Sequence, residues 1–213
     1  MKMMIGVIAT SLYGNRTSVI WALQLATFIK PCDVEFAVSA RKPVEAGRND
    51  IVRQFLKTDC DYLLFIDTDV IMSSDAVVKL WKERDNFDIV SGLYFKKGSN
   101  HTPVAYDATK IDDDGIMQWR VISNWDGKSV IPVEAVGMGI CLIPRAVFEK
   151  LEKPYFKMDL MDIGSSEKYS PLGEDIYFCK KVRDKGITIG LHTGCQCYHV
   201  REDAVIHNMK YIN

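Results

Sequence analysis

The chain has 213 residues, 47% of them hydrophobic and 26% charged, the proportions of a single soluble α/β domain with a full core. Its net charge of -1, without a long basic block, gives a nucleic-acid partner no electrostatic support. No apolar run approaches the roughly 18 residues of a membrane helix, so no transmembrane segment is expected.

The apolar stretch at residues 1–10 is too short for a secretory signal, and Ser11, Asn15 and Arg16 follow where a cleavage region would stand. It reads as a first strand over residues 3–10 of an intracellular, cytoplasmic protein. A polar turn over residues 10–15 leads to a helix from Thr17 to Lys30, with Val19, Ile20, Leu23, Leu25, Ala26 and Ile29 near helical spacing and Pro31 as its stop. Val34 to Val38 is a second strand. After Ser39-Ala40-Arg41-Lys42-Pro43, the residues Ile51, Val52, Phe55 and Leu56 mark one face of a short helix. Asn49 or Asp50 would cap it, which places Arg48 at a helix N-terminus, where anions bind.

Next comes Asp61-Tyr62-Leu63-Leu64-Phe65-Ile66-Asp67-Thr68-Asp69-Val70, an apolar run that ends in two aspartates. The run suits a strand buried on both faces of a parallel sheet, and ligands of open α/β sheets collect at such strand ends. Period-two alternation places Asp67 and Asp69 on the same side. Two carboxylates so close repel each other, and a hard divalent cation removes the conflict. Ser73-Ser74-Asp75 caps a helix with Val77, Leu80 and Trp81 on its core face, and Asp88 to Phe95 is another strand.

Beyond Lys96, short strand-like pieces at His101–Asp107, Gly115–Ser123 and Val130–Ala135 form an antiparallel section. Gly137-Met138-Gly139 precedes the apolar run Ile140–Ile143, and Pro144 opens a helix. Residues 154–173 lack periodicity and read as a lid or binding loop. Glu174 and Asp175 fall in the first turn of the next helix, where the dipole helps keep both ionised. Strands at Ile187–Leu191 and Cys195–Val200 and a short polar terminal helix complete the chain. The six cysteines are scattered and read as free thiols; Cys195, Cys197 and His199 alternate, with His192 upstream, so a zinc site is possible although the paired Cys-x-x-Cys spacing is missing. Gly6 and Gly14 do not make a dinucleotide-binding turn.

The order of these pieces resembles the nucleotide-sugar-dependent glycosyltransferases of the GT-A fold. The matching pieces are Gly47-Arg48-Asn49-Asp50-Ile51-Val52, Asp61 to Asp69, Val136-Gly137-Met138-Gly139, Gly173-Glu174-Asp175-Ile176-Tyr177-Phe178 and Tyr198-His199-Val200. The resemblance implies one GT-A-like, Rossmann-like α/β domain over residues 1–213. Its mostly parallel central sheet would be flanked by helices and joined by a smaller antiparallel section, with a nucleotide-binding half at 1–95 and an acceptor and catalytic half at 96–213. It implies that Asp67 contacts the donor's ribose or the metal, and that Asp69 and His199 bind Mn²⁺ or Mg²⁺. Thr10, Ser11 and Arg48 would hold the nucleotide and its pyrophosphate, and Gly137 and Gly139 would admit the sugar. Asp175 would be the base of an inverting transfer and Glu174 would position the acceptor. The partners would be a nucleoside-diphosphate sugar, a UDP-sugar first among them, and a carbohydrate or glycan acceptor. Two other readings stand beside it: a phosphatase of the haloacid-dehalogenase type, which also ends a strand in Asp-x-Asp, and a non-catalytic nucleotide-sugar binding module.

Overall fold

A computed structural model describes residues 1–9, 18–96, 102–111, 117–162 and 169–199. Strand β1 (Lys2–Ala9) is followed by α1 (Val19–Thr27), β2 (Asp33–Ala40), α2 (Val44–Phe55), β3 (Tyr62–Ile66), β4 (Val70–Met72), α3 (Ala76–Lys82) and β5 (Ile89–Leu93). Then come β6 (Ala105–Ile111), β7 (Met117–Val121), β8 (Val130–Pro132), β9 (Ala135–Val136), β10 (Ile140–Pro144) and α4 (Arg145–Glu149). The last elements are β11 (Asp159–Asp162), β12 (Tyr169–Leu172), α5 (Glu174–Arg183) and β13 (Ile189–His199). Among the described residues, no helix is long and apolar enough to cross a membrane.

The central sheet has the order β2-β1-β3-β10-β5-β13-β4, with β8 also paired to β13. Strands β2, β1, β3, β5 and β13 point one way, and β10, β4 and β8 run against them. This is a mainly parallel sheet, beside which β7-β6-β9 forms a small antiparallel one. Because β10 lies between β3 and β5, strands from before and after residue 95 interleave in one sheet.

Alternation along β3 sorts its side chains onto two cores. Leu63 and Phe65 join one with Ile51, Val52 and Phe55 of α2 and Phe178 of α5, while Leu64 and Ile66 join another with Trp21 of α1 and Leu80 of α3. Gly47 lets α2 cross β1 closely, since a Cβ there would stand 2.9 Å from Ile8 Cγ2. In the first core, Phe156 stacks on Phe178 at 4.6 Å and meets Phe65 edge-on at 5.6 Å. Each such pair adds about 0.5–1.5 kcal/mol beyond area burial.

Several boundaries differ from the sequence reading. Helix α2 starts at Val44 behind Pro43, not at Asn49 or Asp50, so Arg48 lies inside the helix. Helix α1 ends at Thr27, before Pro31 is reached. Asp75 precedes α3, but its side chain makes no capping bond and instead accepts from Ser73 Oγ at 2.6 Å. Within the stretch expected to be a loop, β11 and β12 pair as an antiparallel ribbon. The two expected last strands are one, β13, with a register shift between His192 and Gln196. Past that shift β13 pairs with β4, setting His199 opposite Val70. The expected terminal helix lies outside the described residues.

Arg145 ties the end of α2 to the start of β3. Its guanidinium lies 4.7 Å from the Phe55 ring centroid and donates to the carbonyls of Phe55, Thr58 and Cys60. Arg145→Met leaves Phe55 O with its Thr58 donors but takes the guanidinium from the carbonyls of Thr58 and Cys60, and should destabilise the fold by about 2 kcal/mol in urea unfolding. Arg145→Lys should recover less than half of that, because one ammonium cannot span the same carbonyls.

Candidate functional site

The strand geometry of β3 ends at Ile66, and residues 67–69 form a turn closed by Val70 N donating to Asp67 O at 3.1 Å. Asp67 N donates to Gly139 O at 2.9 Å. From the other face of the sheet, Trp21 Nε1 donates to Asp67 O at 2.8 Å, Gln24 Nε2 donates to Val70 O, and Gln24 Oε1 accepts from Met72 N. Sequence reasoning missed this clamp. Its signal was Gln24, a polar residue on the core-facing side of an otherwise apolar helix.

The turn breaks the alternation that placed both aspartates on one side. Asp67 keeps the side of Leu63 and Phe65 and meets α2: its Oδ2 accepts from Arg48 Nη2 at 3.2 Å. Asp69 faces β13 instead, with its Oδ1 4.0 Å from His199 Nε2. His199 Nδ1 lies 2.6 Å from Phe95 O. A carbonyl oxygen can only accept, so this bond puts a ring hydrogen on Nδ1 and leaves Nε2 as the ring atom that faces Asp69. A histidine fixed through one nitrogen by a carbonyl, with the other facing a carboxylate, is the arrangement that metal-binding histidines use.

Arg48 is buried, with 3% exposure, and lies 5.2 Å from the Phe65 ring centroid. Its Nε donates to Glu174 Oε1 at 3.1 Å and its Nη2 to Asp67, while Nη1 has no hydrogen-bond partner among the described residues. Burial opposes its charge, but Asp67 and Glu174 outweigh that and hold it more firmly protonated than usual. Arg48 is therefore no exposed helix-end cation; it is the buried hub that joins Glu174 to the partly exposed Asp67. Burial also pushes the Asp67 carboxyl up, against the pull of Arg48.

Glu174 and Asp175 open α5, and Glu174 turns inward to Arg48. Asp175 Oδ1 accepts from Ile176 N at 2.8 Å. Burial, then the neighbouring Glu174 charge, push its carboxyl up to about 6, so the helix end does not keep it as acidic as an ordinary carboxylate. Gly137 and Gly139 lie beneath Tyr94, whose phenol takes the space at both: a Cβ on Gly137 would be 1.7 Å from Tyr94 Oη, and one on Gly139 2.9 Å from Cζ. Thr10 and Ser11 lie outside the described residues.

The structure thus brings together Arg48, Asp67 and Glu174, and separately Asp69 and His199. Among the described residues, the potential metal ligands found in threes within 4.8 Å of one another are Glu35, Asp59 and Cys60. Those stand at the opposite end of the sheet, and Lys2 Nζ already bridges the two carboxylates at 2.5 and 2.8 Å. The zinc reading fails: Cys195 and Cys197 are fully buried in the apolar core, and Cys195 Sγ is turned to Ala76 O.

Asp175 makes stability depend on pH. Its folded value, about 6, exceeds the unfolded value of about 3.9, so the folded state binds more protons between them and stability falls as pH rises through that window. Asp175→Asn removes this cost. It should stabilise the protein by about 2 kcal/mol at pH 8 and leave it nearly unchanged at pH 4, as read from Tm at the two pH values.

No family of sequences matches the chain, and no curated protein does. Solved structures do. The protein A197 from STIV aligns with a TM-score of 0.61 at 22% identity, over 95% of this chain and 87% of that one. GalNAc-T7, solved with UDP, GalNAc and Mn²⁺, gives 0.60 at 10% identity, over 94% of this chain and 44% of that one. The inositol-1-phosphate CTP transferase from T. maritima gives 0.53 at 12% identity, over 98% and 93%. At these identities the likeness is one of fold: a Rossmann-like α/β architecture shared with a GalNAc transferase and a nucleotidyltransferase.

Proposed function

We propose that the protein is a metal-dependent glycosyltransferase that moves a sugar from a nucleoside-diphosphate sugar, a UDP-sugar in the first instance, to an acceptor hydroxyl with inversion. One observation carries this reading: the Asp69–His199 pair and the Arg48–Asp67–Glu174 cluster meet at one strand end, with Asp175 next to Glu174.

Asp69 and His199 would hold Mn²⁺ or Mg²⁺, which when bound supplies positive charge to the diphosphate leaving group. Asp67, held through Oδ2 by Arg48, offers Oδ1 to a ribose hydroxyl or to the ion. Arg48 Nη1 is left for a phosphate or ribose oxygen, and Thr10 and Ser11 would meet the nucleotide. Asp175, pushed up to about 6, is mostly ionised at neutral pH and basic enough to take a proton. In the transfer it accepts the acceptor's O–H proton while that oxygen bonds to the anomeric carbon. The bond from that carbon to the diphosphate breaks, and its electron pair leaves with the nucleotide. Glu174, by fixing Arg48, acts as a positioning residue.

Calorimetry with UDP should show binding that requires Mn²⁺, and Asp69→Ala should abolish the requirement together with tight binding. Asp175→Asn should retain donor binding and lose about 10²-fold or more in turnover. Tight UDP binding indifferent to chelator overturns the metal assignment, and full turnover in Asp175→Asn overturns the base.

A further inference from the structure

We infer that Tyr94 is a positioning residue that pre-forms the cation site, acting on the Asp-x-Asp turn through its hydroxyl and on His199 through its ring. This rests on the reading of Asp69 and His199 as ion ligands. Tyr94 directly follows β5 and is 5% exposed. A hydroxyl in so dry a place is costly without a partner, and its Oη accepts from Gly139 N at 3.2 Å. The Gly139 carbonyl in turn accepts from Asp67 N at 2.9 Å. The phenol, Gly139 and the first residue of the turn therefore form one hydrogen-bonded series.

The ring does a second job. It meets the His199 imidazole edge-on, with centroids 5.3 Å apart and planes at 82°. The next residue, Phe95, accepts from His199 Nδ1. Residues 94 and 95 thus set the imidazole from two directions, one by packing and one by fixing its tautomer. Glycine at 137 and 139 follows from the same arrangement, since a Cβ at either position would strike the phenol. Phenylalanine would fill nearly the same volume and still pack on His199, so the hydroxyl's contribution can be isolated.

The test is Mn²⁺ affinity, read by calorimetry and by the Mn²⁺ electron-spin signal, with and without UDP. Tyr94→Phe should weaken Mn²⁺ binding by about tenfold, as loss of groups that orient metal ligands does, while remaining folded. Tyr94→Leu, which also frees His199, should weaken it further, and in a His199→Ala background the difference between the Leu and Phe variants should vanish. Folded Tyr94→Phe with a Kd within about twofold of the parent overturns the inference alone. A parent protein that binds no Mn²⁺ overturns the metal reading and this inference together. If Tyr94→Phe does not fold, Mg²⁺ titration of the unaltered protein by NMR decides. Joint shifts of the His199 ring, the Tyr94 ring and the Gly139 amide support the role, and movement of His199 alone overturns it.

Discussion

A buried guanidinium between two carboxylates organises this molecule. Arg48 comes from α2, Asp67 from the end of β3 and Glu174 from the start of α5, three segments far apart in sequence. Withdrawing these charges from water offsets much of their mutual attraction, so the intact cluster contributes little net stability. Removing one member strands the others and typically costs about 3–5 kcal/mol. The cluster therefore selects one arrangement of the strand end. It turns Asp67 toward α2 and draws Glu174 inward. Its geometry is further constrained by the Phe65 ring beneath Arg48.

The strand end is held from both faces of the sheet. Arg48 works from the α2 side, while Trp21 and Gln24 work from the α1 side, bonding the main chain around Asp67–Met72. The cluster of Lys2, Glu35 and Asp59 at the far end of the sheet is different in kind. It is partly exposed and screened, and pairs of that sort contribute little.

The strands were legible where apolar runs were long, and Asp67 and Asp69 stood out because the run Leu63–Ile66 stops so sharply. What the sequence did not reveal is that alternation stops with it, since a turn that needs Gly139 and Trp21 as partners is a tertiary fact. Arg48 was noticed but misplaced: Asn49 and Asp50 looked like helix caps, yet both lie inside α2, which starts at Val44, and Gly47 within it lets the helix press on Ile8. The ribbon β11–β12 escaped notice because such short strands carry almost no period and acquire their register from each other. Tyr94 was hidden inside an apolar stretch, and it is marked out by contacts that need the folded chain: the space it fills at two glycines, its bond from Gly139 N and its ring against His199.

Asn49 stands beside Arg48 on α2 and reaches another way. Its side chain donates to Phe156 O and accepts from Tyr155 N and Phe156 N, pinning the segment that leads into the ribbon. Two neighbouring positions on one helix thus serve two different parts of the molecule, and their directions are fixed by helical phase, about 100° per residue. A single residue inserted within the helix, between Val44 and Gly47, would rotate both away from their targets at once. Length variation among relatives of this chain should therefore fall in the connection before Val44 or after Phe55, and spare the helix between them.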